Sequence, residues 1–374
     1  MLRKFKVSNF KGFDNNFFLD LTEVNGYGFN TECIKNEIVN NALVYGHNGV
    51  GKSNLALAIF DIIEHLTDKN RVERVYQNYL NAYNKADYAE FYYEFLINSK
   101  IITYEYRKTN YKTLCYEKFT IDGDEFVIFD RNQSSNATIK FKGAETLKTE
   151  ITNNELSVLK YIKNNTELES NPINTTFADF FRFVESMLYF CSLENRMYLG
   201  LEGLEVGGKD ILKDIIEKDN VKDYENFLNA AGIECKLSVV TELNKRTLAF
   251  NFNGKELSFD KAVSTGTSAL TLFYFWFQSI RENAKVSFLF IDEFDAFYHH
   301  ELSALVVKKL KETGVQFILT THNTSIITND LLRPDCYFLM SKKNIRSLSK
   351  CTSKELREAH NIEKMYKANA FNVE

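Results

Sequence analysis

The amino-acid sequence predicts an α/β fold: a mixed sheet flanked by helices, with an antiparallel β layer and an inserted helical lobe. Three observations predict it. The segment Val39–Tyr45 contains an apolar run, Ala-Leu-Val-Tyr, and leads through a glycine-rich loop into a segment with helical apolar spacing, Leu55–Leu66. A second apolar segment, Val286–Ile291, ends in two acidic residues, as buried parallel strands often do. Between them, several segments alternate apolar and polar residues in the manner of antiparallel strands.

The loop after the first apolar segment reads G-H-N-G-V-G-K-S, which fits the P-loop pattern G-x-x-x-x-G-K-[ST]. Its glycines allow a backbone wrap tight enough for several N–H groups to point at a phosphate. The lysine places a charge between the β- and γ-phosphates, and the serine hydroxyl is a ligand for Mg²⁺. The following helix adds the partial positive charge of its N-terminus. The pattern predicts nucleoside triphosphate binding through Gly46, Asn48, Gly49, Gly51, Lys52 and Ser53.

Two further strand ends supply the rest of a nucleotide site. The strand Val286–Ile291 delivers Asp292 and Glu293 to the carboxyl edge of the sheet, where ligands bind in open α/β folds. We expect Asp292 to hold Mg²⁺ through water. We expect Glu293 to be the general base that activates the attacking water, an effect of ~10²–10⁴-fold. A third strand, Val315–Leu319, leads to His322, which we expect to hydrogen-bond the γ-phosphate.

A serine and a glycine, Ser264 and Gly266, stand immediately before the helical segment Ser268–Arg281. Such residues at a helix N-terminus form a second anion site. The pattern alone is weak, because serine commonly caps helices. Its place, one helix ahead of the acidic strand, makes it a candidate signature motif.

The remaining segments predict how the chain is divided. Alternating residues run through Ala89–Ile97 and continue around Asp122-Gly123, which is a strong signal for a type I′ hairpin. Apolar residues then follow helical spacing over Asn154–Asn229, including Met187 and Leu188. We therefore expect an antiparallel β layer at 91–150 and an inserted helical lobe at 151–234, between two parts of one nucleotide-binding head at 1–90 and 235–374.

The composition is that of a globular protein without membrane-spanning segments. Of the 374 residues, 44% are hydrophobic and 26% charged, which is typical of a globular protein. No apolar run reaches the ~18 residues that span a bilayer. The opening residues lack a signal-peptide pattern, and the six cysteines form no C-x-x-C pair. We expect a cytoplasmic protein that does not enter a membrane. The net charge of −4 carries no nucleic-acid signal, although the basic segment Ser341–Glu374 leaves DNA contact open.

These elements, in this order, resemble the ABC-type ATPases and, among them, the SMC-like branch. Three further features carry the resemblance: N-F-K-G-F at Asn9–Phe13, the long span between the P-loop and the Ser-Gly element, and Phe294–His299. The last is similar to D-E-x-x-x-x-L-H-P, with His300 in place of proline. Closer still, the β layer that ends in Phe129-Asp130-Arg131 and the tail Leu356–Phe371 resemble bacterial AAA-family ATPases. Those proteins are related to OLD-type ATPases and to the ATPase subunits of antiphage systems such as Septu, PARIS and abortive-infection loci.

The resemblance implies an ABC-type P-loop ATPase head that binds ATP and Mg²⁺. Two chains would sandwich ATP as a homodimer or within a higher oligomer. Ser264 and Gly266 of one chain would reach the γ-phosphate bound by the other, and Asp295 would lie in the D-loop connecting the two sites. It also implies a sensor or scaffold subunit of an antiphage complex, in which ATP controls a separate effector, in the first place a nuclease.

Two other functions stay open: an SMC-like ATPase that acts directly on DNA in repair or organisation, and an energy-coupling subunit of a transporter. We do not expect nuclease activity in this chain, because no D-x-D pair follows the third strand, and Asp122-Gly123-Asp124 is a turn. Candidates for the adenine contact are Lys11 and the pair Phe10 and Phe13. Gln77 is the candidate for the Q-loop.

Overall fold

The computed structural model describes residues 1–69, 76–191, 198–199, 211–242, 244–283, 286–296 and 299–372. One compact unit comprises Met1–Glu202, Ser287–Phe294 and Val315–Glu374, and a second comprises Gly203–Val286 and Asp295–Gly314. The strands are β1 (Leu2–Ser8), β2 (Phe17–Asp20), β3 (Ile34–Lys35), β4 (Ile38–Val39), β5 (Asn41–Tyr45), β6 (Ala89–Ile97), β7 (Lys100–Lys108), β8 (Leu114–Ile121), β9 (Asp124–Asp130), β10 (Thr138–Ile139), β11 (Met187–Cys191), β12 (Tyr198–Leu199), β13 (Leu237–Glu242), β14 (Lys245–Phe252), β15 (Lys255–Ser258), β16 (Phe288–Asp292), β17 (Gln316–Thr321), β18 (Tyr337–Met340) and β19 (Ile345–Ser347). The helices are α1 (Lys52–Leu66), α2 (Val158–Asn165), α3 (Pro172–Glu185), α4 (Ile211–Glu217), α5 (Val221–Ala230), α6 (Phe259–Ala262), α7 (Thr265–Asn283), α8 (His300–Thr313) and α9 (Ile362–Lys367).

The first unit contains a mixed sheet with the strand order β12-β11-β16-β17-β5-β18-β19. Strands β11, β16, β17, β5 and β18 run parallel, and the outer strands β12 and β19 are antiparallel to their neighbours. Every residue of β5, β16, β17 and β18 is buried, as expected for parallel strands covered on both faces. In this order, β17 lies between the P-loop strand β5 and the acidic strand β16.

The same unit contains an antiparallel sheet with the order β10-β9-β8-β7-β6-β1-β2. In β6, buried residues alternate with partly exposed ones along the whole strand, which leaves one face of the sheet for the core. The turn between β8 and β9 has left-handed φ values at Asp122 and Gly123, +50° and +88°, as a type I′ turn requires. The predicted hairpin is therefore confirmed.

Helix α1 lies between the two sheets. Every residue from Leu55 to Leu66 is buried, including the polar residues Asp61, Glu64 and His65. Phe60 packs against Tyr189 and Phe288 of the mixed sheet, with ring centroids 5.6 and 6.0 Å apart. On the other side, the Tyr93 hydroxyl of β6 donates to the Ala58 carbonyl at 2.8 Å. The helix that follows the P-loop is thus held by both layers.

The second unit combines helices α4 to α8 with the antiparallel sheet β13-β14-β15. Tyr224 of α5 packs on Tyr274 of α7 with ring centroids 4.8 Å apart. The Tyr224 hydroxyl also lies 2.6 Å from Thr271 Oγ1 on α7. Phe250 of β14 stacks on Phe259 of α6 at 4.9 Å. These aromatic contacts form a core belonging to this unit.

The predicted fold class, an α/β fold with a mixed sheet flanked by helices and an antiparallel layer, is confirmed. One interpretation is wrong: Met187 and Leu188 do not continue a helix, because α3 ends at Glu185 and β11 pairs with β16. A short apolar run fits a buried strand and a buried helix equally well by spacing.

The segment expected to be one helical lobe is divided, with α2 and α3 in the first unit and α4 and α5 in the second. The four expected segment boundaries stay a prediction. In the part of the chain that the structure describes, no helix has the length and apolar character of a membrane span.

Candidate nucleotide-binding site

The P-loop connects β5 to α1 as a tight backbone wrap. Gly49 and Gly51 have φ values of +77° and +105°, a region that glycine adopts readily and other residues rarely do. Gly46 is required for another reason. A Cβ atom there would lie 2.7 Å from Val50 Cγ2 and 2.9 Å from the Met340 carbonyl oxygen. The loop therefore has the close backbone path that a phosphate cradle needs.

The Lys52 ammonium lies at the centre of this edge of the sheet. Its Nζ donates to the Gly46 carbonyl at 2.9 Å and lies 2.9 Å from His322 Nε2. Burial lowers the pKa of Lys52, and the carboxylates of Asp292 and Glu293 act in the opposite direction. Because Lys52 also begins α1, its ammonium adds to the positive end of the helix. The ammonium and the helix N-terminus therefore both present positive charge at the P-loop.

The Ser53 hydroxyl meets the carboxylate of Asp292. Ser53 Oγ donates to Asp292 Oδ2 at 2.5 Å, and Thr320 Oγ1 donates to Asp292 Oδ1 at 2.5 Å. These two hard oxygen donors beside the P-loop suit Mg²⁺, which takes one or two protein oxygens and completes its shell with phosphate and water. Among the described residues, no group of three or more His, Cys, Asp or Glu is arranged to hold a metal. Ser53 Oγ and Asp292 Oδ2 fit the one or two protein oxygens of a Mg²⁺ shell.

Glu293 and His322 face each other at the same edge. Glu293 Oε1 lies 3.5 Å from His322 Nε2, and the two side chains are 26% and 39% exposed. The backbone of Glu293 has a φ of +48°, which is uncommon for a residue other than glycine. Its N–H donates to Thr320 Oγ1 at 2.8 Å. Solvent therefore reaches both groups, while the backbone beneath them is held.

Strand order explains why these groups meet. Because β17 lies between β5 and β16, the residues that end β17 and follow it stand between Lys52 and the acids. The side chains brought together are Lys52, Ser53, Asp292, Glu293 and His322. Their chemical roles stay predictions.

Thr320 is not among the residues predicted from the sequence. Its one signal is its position directly after the apolar segment Val315–Leu319, and threonine there is ordinary for a strand. Only its contacts with the acidic pair identify it.

The profile of one protein family, described as "AAA domain, putative AbiEii toxin, Type IV TA system", matches residues 42–328, well over half of the chain. The chain belongs to this AAA-domain family. The match contains both the P-loop and the acidic strand, and it identifies the protein as a P-loop ATPase of the AAA type. A search of curated proteins finds no match.

Solved structures of SMC heads are similar to this AAA-domain chain at low identity. The SMC head domain from Thermotoga maritima is 15% identical with a TM-score of 0.45, over 92% of this chain and 98% of that chain. An SMC head bound to the C-winged helix domain of ScpA is 15% identical with a TM-score of 0.42, over 93% and 98%. An Smc head with an extended coiled coil, bound to the C-terminal domain of ScpA from Pyrococcus furiosus, is 12% identical with a TM-score of 0.42, over 93% and 97%. At TM-scores below 0.5, these likenesses add nothing to the family assignment.

The signature candidates of the AAA-domain chain lie in the second unit. Ser264 caps α7, because its Oγ accepts from the Thr267 N–H at 3.1 Å, and Gly266 lies in the first turn of that helix. Asp295 is 9% exposed. The assignment of Ser264, Gly266 and Asp295 to a nucleotide held by a partner chain stays a prediction. Of the segment Phe294–His299, residues 297 and 298 lie outside the described residues.

The candidates for the adenine contact differ in their surroundings. Phe10 and Phe13 are 0% and 1% exposed, and Phe10 packs edge-on against Tyr79 at 5.0 Å. Stacking of adenine on these two rings is therefore wrong, because core residues cover them. Lys11 Nζ donates to the Gln77 carbonyl at 3.0 Å. Lys11 and Gln77 stay candidates for their predicted contacts.

Proposed function

We propose that this chain binds ATP together with Mg²⁺ and hydrolyses the terminal phosphate. The meeting of Lys52, Ser53, Asp292, Glu293 and His322 at one edge of the mixed sheet carries the proposal. Phosphoryl transfer to water depends on charge stabilisation and on an oriented nucleophile. Lys52 and the Ser53–Asp292 pair with its metal supply the charge stabilisation. The Glu293–His322 pair supplies the orientation of the attacking water.

Each group has its own task in the proposed reaction. The P-loop amides and the first N–H groups of α1 hold phosphate oxygens, and Lys52 stabilises the charge that develops on them. Ser53 and Asp292 would hold Mg²⁺, which when bound neutralises phosphate charge. Glu293 Oε1 orients the attacking water and accepts its proton. His322, whose Nε2 lies 3.5 Å from that oxygen, donates a ring N–H to the γ-phosphate.

Lys52→Ala tests the proposal directly. It removes the ammonium that neutralises the phosphates, so we expect binding of a fluorescent ATP analogue and release of phosphate to fall to background. The matched control is Lys354→Ala, because Lys354 is exposed and lies far along the chain from the P-loop. Unchanged binding in Lys52→Ala, or no binding by the unaltered protein, would contradict the proposal.

The active form is a dimer or a higher oligomer in which two chains enclose ATP. Ser264 and Gly266 of one chain contact the γ-phosphate held by the other, and Asp295 connects the two sites. What supports this arrangement is the resemblance to ABC-type ATPases, together with the capped N-terminus of α7 at Ser264. Hydrolysis then changes the charge balance at the interface, which couples chemistry to assembly.

The chain acts as the ATP-dependent sensor or scaffold of an antiphage complex and controls a separate effector, a nuclease in the first place. Supporting this role are the resemblance to antiphage ATPase subunits and a family description that names a toxin of a toxin–antitoxin system. The test is a pull-down of the tagged chain expressed with its native gene neighbours. Stoichiometric recovery of a nuclease or toxin is expected; recovery of the chain alone would contradict the role.

A second candidate is an SMC-like ATPase acting directly on DNA. The observation favouring it is the segment Ser341–Glu374, which holds eight Lys and Arg residues against four Glu. Binding through such residues weakens steeply with salt, because it releases counterions from the phosphate backbone. DNA affinity that rises with ATP and falls with salt would favour this function over the scaffold role.

A further inference from the structure

We propose that Thr320 is the positioning residue of the acidic pair: it orients Asp292 toward the metal site and holds Glu293 in its catalytic conformation. The side chain of Thr320 is fully buried at the end of β17. Nothing in the sequence motifs assigns it a role. The inference rests on the proposed function, because it concerns the same metal and the same base.

Thr320 holds three consecutive residues at the end of β16. Its Oγ1 donates to Asp292 Oδ1 at 2.5 Å and accepts from the Glu293 N–H at 2.8 Å. Its carbonyl oxygen accepts from the Phe294 N–H at 3.2 Å. A hydroxyl has one proton to donate and lone pairs to accept with, so this side chain can serve both acidic residues at once.

The first consequence concerns the metal. With Oδ1 of Asp292 engaged by Thr320, the other oxygen, Oδ2, is directed at Ser53 Oγ, 2.5 Å away. The two oxygens assigned to Mg²⁺ are therefore oriented by a group that is not itself a ligand. Outer groups of this kind typically change metal affinity or activity by ~10–100-fold when removed.

The second consequence concerns the base. Glu293 has a φ of +48°, a conformation that persists in non-glycine residues only where the surroundings hold it. The bonds from the Glu293 and Phe294 N–H groups to Thr320 hold it on both sides. Because β17 is the neighbour of β16 in the sheet, a residue at the end of β17 can contact both Asp292 and Glu293.

The test compares Thr320→Val, which removes the hydroxyl at nearly constant volume, with Thr320→Ser, which keeps it. The probe is methylanthraniloyl-labelled adenylyl imidodiphosphate, titrated with Mg²⁺ and also measured in EDTA. For Thr320→Val we expect the half-saturating Mg²⁺ concentration to rise ~10–100-fold. We expect the affinity in EDTA to stay unchanged, because Lys52 and the P-loop do not depend on this hydroxyl. Thr320→Ser should restore the Mg²⁺ dependence of the unaltered protein.

The control is Thr176→Val, which removes another buried hydroxyl, one that donates to the Pro172 carbonyl in α3. An unchanged Mg²⁺ requirement in Thr320→Val would overturn the inference. If Thr320→Val does not fold, Thr320→Cys takes its place, since a thiol is a weak hydrogen-bonding group, and the same rise must appear. Failure of the unaltered protein to bind the analogue at all would instead refute the proposed function.

Discussion

Glu293 combines a strained backbone with an exposed functional group. Its φ is +48°, and it directly follows β16, whose residues are all buried. The carboxylate lies 3.5 Å from His322 Nε2 and is partly exposed to solvent. Strain of this kind costs about 1–3 kcal/mol and is found where function requires a particular geometry.

The first prediction concerns this carboxylate. Glu293→Gln keeps the size of the side chain and removes its basicity, so we expect ATP hydrolysis to fall by at least ~10²-fold while ATP binding is retained. The measurements are steady-state phosphate release and equilibrium binding of a labelled nucleotide. Glu355→Gln, at an exposed site, is the control and should leave both values unchanged. Turnover at the unaltered rate in Glu293→Gln would show that another group is the base.

The second prediction concerns the P-loop backbone. Gly46→Ala places a methyl group 2.7 Å from Val50 Cγ2 and 2.9 Å from the Met340 carbonyl, so the loop must shift. We expect a loss of about 1–3 kcal/mol in the free energy of unfolding and weaker nucleotide binding. Gly28→Ala is the control, since a Cβ there meets nothing within 4 Å. Equal stability of the two variants by urea denaturation would contradict the steric account.

Residues with a local motif were predictable from the sequence, and residues defined by tertiary contacts were not. Lys52 and Ser53 belong to a contiguous pattern, and Asp292 and Glu293 directly follow an apolar strand. Thr320 has no such pattern, because its importance comes from two hydrogen bonds to a strand 28 residues away. The aromatic candidates for the adenine contact, Phe10 and Phe13, failed for a related reason: the exposure of an aromatic ring depends on packing, which sequence spacing does not reveal.

At the scale of elements, α1 is tied to the antiparallel sheet by a buried ion pair. Lys108 Nζ of β7 lies 2.7 Å from Asp61 Oδ2 of α1, and both side chains are fully buried. The hydroxyls of Tyr79 and Tyr106 also donate to the Asp61 carboxylate, each at 2.9 Å. A carboxylate satisfied in this way tolerates burial, whereas an isolated buried charge does not.

The third prediction follows from this pair. Lys108→Met leaves Asp61 buried without its cation, so we expect the free energy of unfolding to fall by ~3–5 kcal/mol. The control is Lys118→Ala, which breaks the partly exposed pair with Glu125 and should cost at most ~1 kcal/mol. Adding Asp61→Leu to Lys108→Met should recover part of the loss, because it removes the uncompensated charge. Similar urea midpoints for Lys108→Met and Lys118→Ala would refute this account.

Elements with strong alternation or a motif at one end were predicted, and short buried strands were missed. The residues Asp122 and Gly123 predict the β8–β9 hairpin, because they favour its turn. Strand β11, Met187–Cys191, directly follows α3 and is apolar throughout, so its spacing suits a helix as well. Strand β18, Tyr337–Met340, has only four residues and no acidic or glycine-rich end to mark it.

At the scale of the whole molecule, the proposed ATP sandwich makes a prediction about assembly. In the Glu293→Gln background, ATP should drive the chain from monomer to dimer, because nucleotide is bound and not consumed. Multi-angle light scattering with and without ATP measures the change in mass. Lys52→Ala should show no such change.

The ATP-dependent dimer can also be tested at Ser264, the cap of α7. Asp and Asn both cap helices as well as Ser does, so Ser264→Asp and Ser264→Asn should preserve the start of α7. Only Ser264→Asp places a negative charge where a partner's γ-phosphate is expected. We therefore expect Ser264→Asp to abolish the ATP-dependent dimer and Ser264→Asn to retain it. Equal dimerisation of both variants would argue that Ser264 does not face a partner's nucleotide.

The place of β5 in the mixed sheet has a consequence for how the protein is made. β5 ends at Tyr45, but its two neighbours, β17 and β18, begin only at Gln316 and Tyr337. At ~5–20 residues per second, the ribosome needs roughly 15–55 s between Tyr45 and Gln316. During that interval neither edge of β5 is paired with its native neighbour, and an unpaired apolar strand makes the nascent chain prone to aggregation. The phosphate cradle is thus completed late in translation, and a chain stalled before Met340 should need chaperones rather than nucleotide to stay in solution.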